Sequence, residues 1–256
     1  MRFENKIVII TGAGRGIGRQ IALRFSAEGA RVMIADLSED HARAVAAEIV
    51  AAGGKAEAMR VDVGDAASVT AMVGTTCEKF GRVDILVNNA GIGSNQSVLE
   101  MSLEEWERNL RVNLTGTFLC AQAAGRVMVA QGAGRIINIA SISGQRGGVG
   151  RAAYGAAKAG VILLTRVMAV ELASQGVLVN AIAPGPVDTE QSRGTHTPAT
   201  RRSYLDRIPT RRYGTADEIA SGVLFLASPD ASWVNGHVLN VDGGFDAAGL
   251  MFDPTA

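Results

Sequence analysis

The stretch Lys6-Ile7-Val8-Ile9-Ile10-Thr11-Gly12-Ala13-Gly14-Arg15-Gly16-Ile17-Gly18 decides the fold. It opens on an apolar run of strand length, the pattern of a strand buried on both faces. Glycines follow at once, and Arg19 to Ala27 then has helical character. Glycines at a strand-to-helix turn let the backbone approach a pyrophosphate, which the dipole at the helix N-terminus favours. The spacing is Gly-x-x-x-Gly-x-Gly, although Gly12 and Gly14 partly supply the commoner Gly-x-Gly-x-x-Gly. A second run, Arg31 to Ala35, ends in Asp36, about where a carboxylate meets an adenosine ribose.

Working outward, strand and helix alternate to the end of the chain. Strands are expected at 6–10, 31–35, 56–61, 84–88, 135–140, 177–183 and 237–241. Helices are expected between them, at 16–28, 40–52, 66–80, 103–130, 154–174 and 216–227. That alternation predicts an α/β fold, a doubly wound parallel sheet of about seven strands with helices on both faces. Such sheets bind ligands at the carboxyl ends of their strands. No internal linker or domain boundary interrupts the pattern, so residues 1–256 read as one domain of Rossmann type.

Chemistry-bearing residues cluster in the second half. Tyr154 and Lys158 stand at i and i+4, which puts a phenol and an amine on one helical face. A nearby cation favours phenolate, so Lys158 is expected to lower the pKa of Tyr154 towards the working pH. Ser141 precedes Tyr154 by thirteen positions and would bring a hydroxyl to the same carbonyl. Alone, Tyr-x-x-x-Lys is weak, because small-residue helices carry both residue types by chance.

With the glycine turn, Asp62-Val63, Asn88-Asn89-Ala90-Gly91, Asn113, and Pro184-Gly185 followed by Val187 and Thr189, the chain resembles the short-chain dehydrogenase/reductases over nearly its whole length. The resemblance implies that Tyr154 is the general acid when a ketone is reduced and the general base when an alcohol is oxidised. Lys158 would also hydrogen-bond the nicotinamide ribose. Ser141 would hold the substrate oxygen as charge develops there. Asn113 would bend its helix and help hold a proton-relaying water. Gly12, Arg15, Gly16, Ile17, Gly18, Asp36, Asp62, Val63, Asn89, Ala90, Gly91, Pro184, Gly185, Val187 and Thr189 would line the dinucleotide, together with Tyr154 and Lys158. Plainer readings stand beside these: Ser141 as a strand-end cap, Asn88 to Gly91 as a turn, Asp62 as a strand-end residue.

The cofactor choice turns on two opposed signals. Asp36 would accept the ribose hydroxyls of NAD and repel the extra phosphate of NADP. Arg15 also occurs in relatives that use NADP, but Leu37 and Ser38 supply no second cation. NAD is therefore expected. The substrate pocket is expected from 92–98, from 142–151 and from the segment after Pro184, with Ser94, Ser143, Gln145 and Arg151 as candidate contacts. That lining suits a polyol, sugar or hydroxy acid better than a fatty chain. A mobile lid is expected at about 189–213. Its Arg193, Arg201, Arg202, Arg207, Arg211 and Arg212 read as a solvated helix face, with attraction of an anionic substrate as the alternative.

Two further readings are carried. Much of the sequence also resembles 3-oxoacyl-carrier-protein reductases, which use NADPH. Those commonly have basic residues where this chain has Gln131-Gly132-Ala133 and Val170, positions that serve carrier-protein docking. A non-catalytic NAD-binding regulator is the reading from another class, against which the retained Tyr154 and Lys158 speak.

Composition fits a globular enzyme. Apolar residues make up 47%, and 25 basic residues balance 25 acidic ones, so nothing favours nucleic acid or a membrane surface. Cys77 and Cys120 have no metal-like spacing, and no metal site is expected. Two cysteines without a disulfide framework, and Arg2, Glu4 and Lys6 where a signal peptide would begin, point to the cytoplasm. Relatives usually form tetramers through helices corresponding to 103–130 and 154–174 and through the last strand, so a homotetramer is expected. The apolar tail Leu250-Met251-Phe252 is expected to be disordered or to pack on a neighbouring subunit.

Overall fold

Strands β1 (Ile7–Thr11), β2 (Arg31–Asp36), β3 (Lys55–Arg60), β4 (Ile85–Asn88), β5 (Gly134–Ile139), β6 (Val177–Pro184) and β7 (Val238–Val241) form one sheet. Their order is β3-β2-β1-β4-β5-β6-β7, and all neighbouring pairs are parallel. The computed structural model describes residues 1–249 and 251, so Leu250 and Phe252 of the apolar tail lie outside the described residues. Strand order reverses between β1 and β4, and in such sheets ligands bind at that point, outside the carboxyl ends of the strands. β1 pairs with both neighbours, Ile10 opposite Ile34 on one side and Val87 on the other.

Each strand feeds side chains to both faces because alternate residues point opposite ways. Val8, Ile10, Val32, Ile34, Val87 and Ile137 meet helices α1 (Gly16–Ala27), α2 (Glu39–Ala51) and α9 (Ala216–Ala227). Ile9, Met33, Leu86, Ile136 and Val179 meet α3 (Ala66–Phe80), α5 (Gly116–Gln131) and α6 (Ala152–Leu172) on the other face. Burying a side chain of this size stabilises the fold by about 1.5–3 kcal/mol. The doubly wound parallel sheet expected from the sequence is therefore the architecture found. Its edge strands, β3 and β7, are only half-buried, and the buried strands lie between them.

The helix expected over 103–130 changes its winding around Asn113, the residue expected to bend it. In place of a continuous helix over 103–130 there are α4 (Leu103–Leu110), a π-helical segment at Arg111–Thr115, and α5. The cause is a ladder of buried polar side chains at i,i+4 spacing. Asn113 donates to the Asn109 carbonyl at 3.1 Å, and Thr117 donates to the Asn113 carbonyl at 2.9 Å. Asn113 also exchanges hydrogen bonds with the backbone of Ile92, which ties the segment to the loop after β4. Single-turn π-bulges of this kind concentrate at functional sites.

The expected lid region holds two short helices, α7 (Glu190–Thr195) and α8 (Pro198–Leu205). Thr189 and Ser192 form a reciprocal cap on α7, and Thr197 caps α8 ahead of Pro198. Among the described residues, no helix is long and apolar enough to cross a membrane.

Candidate active site

The glycine turn sits at the carboxyl end of β1, and its geometry explains its glycines. Gly12 and Gly16 have φ of +63° and +56°, a region costly for any side chain. A Cβ on Gly12 would also lie 2.7 Å from Ala90 Cα. Gly16 instead faces open space, its missing Cβ reaching only Thr189 Cγ2 at 4.0 Å. Arg15 begins α1 without a side-chain cap, so the first amides of the helix keep their donors for an anion. Ile17 and the buried Gly18 turn into the molecule and seat the helix on the sheet.

Asp36 closes this turn from β2. Its carboxylate accepts from Gly14 N at 2.8 Å and from Ser38 N at 3.0 Å. Asn89 stitches the turn to β4, donating to the carbonyls of Thr11 at 3.0 Å and Gly12 at 2.9 Å. Thr11 Oγ1 accepts from the amides of Asn89 and Ala90, both at 3.1 Å. An uncapped helix start behind a side-chain-free turn, with a half-exposed carboxylate beside it, fits the diphosphate and ribose of a dinucleotide.

Asp62 and Val63 have a structural task. Asp62 accepts from Gly64 N at 2.8 Å and from Arg111 at 3.2 Å. Burial opposes its ionisation, yet the Gly64 amide and the Arg111 guanidinium hold its carboxyl below the ordinary range. Val63 is buried where a Cβ on Gly116 would touch it at 2.7 Å. Both residues thus anchor the π-helical segment.

Ser141, Tyr154 and Lys158 converge at the carboxyl end of β5 and the start of α6. Ser141 and Lys158 are buried, and Tyr154 is half-buried. Ser141 Oγ accepts from Ser143 N at 3.1 Å, which fixes the hydroxyl and gives Ser143 a backbone part in the site. Lys158 Nζ donates to the Ile139 carbonyl at 2.7 Å and lies 5.7 Å from the centroid of the Tyr154 ring. Burial pushes the lysine down to about 8. Burial likewise pushes the phenol of Tyr154 up, while Ser141 and then Arg151 oppose that rise.

Lys158 uses one of its three N–H donors on the Ile139 carbonyl. Asn113 is fully buried below Gly91, its amide already bonded to Ile92 and Asn109. A Cβ on Gly91 would lie 2.7 Å from Asn113 Oδ1.

The substrate candidates divide. Arg151 reaches the site: its guanidinium carbon is 5.8 Å from the Tyr154 ring centroid. Its Nη1 donates to the Ser94 carbonyl at 3.1 Å, and its Nη2 lies 3.5 Å from the Tyr204 hydroxyl of α8. Ser94 is buried beside it with a hydroxyl that has no partner. Gln145 departs from the expectation, because its amide is exchanged with Asn240 at 2.7 Å and 3.2 Å near β7.

The remaining expected positions lie at the end of β6 and in the segment that follows it. Pro184 ends β6 opposite Val241, and a Cβ on Gly185 would lie 2.7 Å from Asp242 Cα. Val187 is buried in a bridge with Gly214. Thr189 then starts α7 over the open side of Gly16. Three of the arginines of this segment are ion-paired, while Arg202 and Arg207 are exposed and have no carboxylate partner among the described residues, as a solvated face would have them. Arg193 and Arg201 share Asp188, at 2.9 Å and 3.2 Å, and Arg212 pairs with Glu218 at 2.5 Å.

Sequence reasoning missed the aromatic packing within the segment 196–213. His196 stacks on Tyr204 at 5.2 Å and bonds the Tyr213 hydroxyl at 3.0 Å, with Arg201 over the Tyr213 ring at 4.2 Å. These residues are scattered over 196–213 without a regular period, so no pattern marked them. The buried chain Asn88–Asn138–Thr165 was missed too, with links of 2.9 Å between the two asparagines and 2.9 Å to Thr165.

Comparison with known proteins agrees with this geometry. Residues 12–246 match the family described as enoyl-(acyl carrier protein) reductase. The chain is 45% identical to a 3-oxoacyl-[acyl-carrier-protein] reductase of Synechocystis, over 93% of this chain and 96% of that one. It is 42% identical to the meso-2,3-butanediol dehydrogenase of Serratia marcescens, over 97% of each. A 7α-hydroxysteroid dehydrogenase solved with NADH and 7-oxo glycochenodeoxycholic acid superposes with a TM-score of 0.92, at 37% identity and 95% coverage of both chains.

Proposed function

The chain belongs to the short-chain dehydrogenase/reductase family of oxidoreductases, and from that premise we propose that it moves a hydride between NAD and the secondary alcohol or ketone group of a small polar substrate. The observation that carries the chemistry is the convergence of Ser141, Tyr154 and Lys158 at the strand end beside the glycine turn. When bound, the nicotinamide supplies the hydride acceptor or donor.

Tyr154 takes the hydroxyl proton of the alcohol as its carbon is oxidised, and returns one to the oxygen in reduction. Ser141, fixed by Ser143 N, donates to the same oxygen and stabilises the charge that develops on it. Lys158 holds positive charge beneath the phenol and loses it more readily than an exposed lysine would, which suits a residue that passes protons. Asn113 positions the loop at Gly91 and the π-helical segment.

The preference for NAD rests on Asp36. Both its oxygens are held by backbone amides with the carboxylate turned to the glycine turn, where ribose hydroxyls would be welcome and a phosphate repelled. Arg15 is exposed and supplies one cation only. The segment over 189–213 is the lid, latched through Asp188 and seated on Tyr204 and Arg151.

A second reading, an NADPH-linked 3-oxoacyl-carrier-protein reductase, is favoured by the Synechocystis relative. Against it, Gln131 is occupied with the backbone of Val83, and Val170 is an exposed apolar residue where a carrier protein would want a cation. Two apolar surfaces support a homotetramer. Leu103, Phe118, Leu163, Val167 and Val170 lie exposed on α4, α5 and α6, and Phe225 and Trp233 on or just after α9. Two reduced cysteines, Cys77 and Cys120, support a cytoplasmic setting.

The test is a rate assay of nicotinamide reduction with NAD and NADP in parallel over polyols, sugars, hydroxy acids and simple secondary alcohols. Acetoacetyl thioesters are tested in reverse, with Tyr154→Phe as control. NAD-linked turnover of a polar alcohol that vanishes in the variant is expected. Activity confined to NADP and the thioester would make the acyl reductase reading the right one.

A further inference from the structure

Arg151 is unusual among the cations around the site. Arg193 and Arg201 share Asp188, Arg212 has Glu218, and Arg146 lies 4.0 Å from Asp246. Arg151 has no carboxylate within ion-pair distance among the described residues; its partners are a backbone carbonyl and a phenol, both neutral. Yet it is half-buried, and a cation withdrawn from water without an anion is left uncompensated.

Its position is also fixed. The backbone of Arg151 bridges Gln96, and Gly150 packs so tightly that a Cβ there would lie 2.7 Å from Asn95 Oδ1. Nη1 is anchored on the loop after β4 and Nη2 faces the lid helix α8, so the guanidinium spans the space between wall and lid. Tyr154 is three residues further along the chain, on the same face at the start of α6, and its ring is 5.8 Å away. Ser94 adds a second unsatisfied group: it is only 6% exposed, and its hydroxyl has no partner. A donor set built this way is incomplete without an acceptor.

We infer that Arg151, with Ser94 beside it, is a carboxylate-binding and specificity-determining residue, and that the substrate is a hydroxy acid whose carboxylate lies one or two carbons from the carbinol. One half-buried guanidinium without a carboxylate partner matches a monoanion, and its planar form with several N–H groups left over suits a carboxylate. The short reach from Arg151 to Tyr154 sets the spacing between the acid and the reacting carbon. A neutral polyol would leave the guanidinium as it stands now. This inference rests on the dehydrogenase reading above.

Matched substrates test it: lactate against propane-1,2-diol and 3-hydroxybutyrate against butane-1,3-diol, each with NAD and NADP, in wild type, Arg151→Met and Arg151→Lys. Wild type is expected to favour one acid over its diol in kcat/KM. Losing a charge-assisted contact should shrink that preference about 30- to 100-fold in Arg151→Met, chiefly through KM, with Arg151→Lys between the two. The pH limb of oxidation should also move up in Arg151→Met, because Arg151 opposes the upward push of burial on Tyr154.

Equal use of acids and diols by wild type, or an acid-to-diol ratio unchanged in Arg151→Met, overturns the inference and leaves the dehydrogenase reading standing. No turnover of any alcohol with either dinucleotide defeats the dehydrogenase reading instead. Arg151 is then judged by calorimetric titration with the same acids and diols. Heat specific to an acid and lost in Arg151→Met supports the carboxylate site, and its absence overturns it.

Discussion

Lys158 donates to the Ile139 carbonyl at 2.7 Å, so its charge is held on the end of β5 beneath the phenol of Tyr154 rather than on it. The burial that makes this contact dry also lowers the lysine to about 8 from an ordinary 10.5. The charged lysine is thus disfavoured in the folded chain. Below about 8 both folded and unfolded chains carry the proton, and the penalty is complete. Between 8 and 10.5 the unfolded chain binds more protons, so stability rises with pH and the penalty fades. Lys158→Met should therefore be more stable than wild type near neutral pH, by roughly 1–2 kcal/mol after the lost Ile139 contact is allowed for. Urea unfolding of the ligand-free protein across this range should show the gap closing. A variant that is less stable at every pH refutes the account, even though its turnover is expected to be lost.

Asp36 offers a test at the other end of the site. Asp36→Ala removes the acceptor for Gly14 N and Ser38 N together with the charge that would repel a phosphate. The kcat/KM for NAD should fall by about 10- to 100-fold, and the ratio of NADP to NAD use should rise. Steady-state kinetics with both dinucleotides decides it. An unchanged ratio would mean that the choice is made elsewhere.

The sheet was legible because buried parallel strands are nearly continuous apolar runs, as Ile7–Ile10 and Ile85–Val87 are. The glycine turn and Asp36 were legible because their chemistry is local. What stayed hidden depends on contacts far apart in the chain. The π-helical segment follows from Asn113 reaching back to Ile92, and Gln145 left the pocket for Asn240 on β7. Arg193 and Arg201 read as solvated because Asp188, which pairs with both, lies just before the stretch that was read for charge. Helical spacing placed Tyr154 and Lys158 on one face, but it could not show that a strand carbonyl would claim the ammonium.

The buried link from Asn138 to Thr165 joins the sheet to α6 beneath the site. Thr165→Val keeps the shape and removes the acceptor, leaving the Asn138 amide without it. Stability should fall by about 1–3 kcal/mol, the range for a buried polar group left unsatisfied. Thermal or urea unfolding measures it, and a neutral result would show that a water takes the place of the hydroxyl.

Asp188 gathers Arg193 of α7 and Arg201 of α8 on one carboxylate, whose pKa is held down chiefly by Arg193. Asp188→Asn should loosen both helices while leaving Ser141, Tyr154 and Lys158 in place. The expected result is a higher KM for substrate, about 3- to 10-fold, with faster hydrogen exchange over 190–205 and little change in global stability. Unaltered exchange in that segment would show that aromatic packing among His196, Tyr204 and Tyr213 suffices to hold it.

Gly91 gives the sharpest steric test of the π-helical segment. A methyl group there would sit 2.7 Å from Asn113 Oδ1, too close to be accommodated without a shift, and in ordinary contact with Lys158 Nζ at 3.6 Å. Asn113 cannot retreat freely, because its amide already bonds Ile92 on one side and Asn109 on the other. The loop after β4 must shift instead, and with it the floor beneath Lys158. The turnover number should drop by about 10- to 100-fold, since misplacement of a catalytic group by a fraction of an ångström is felt mainly in kcat. Asn113→Ala removes the obstructing oxygen, so Gly91→Ala made in that background should cost far less than it does alone. A double-mutant cycle in kcat and in urea stability reads the coupling directly, and strict additivity would mean that Gly91 and Asn113 do not meet.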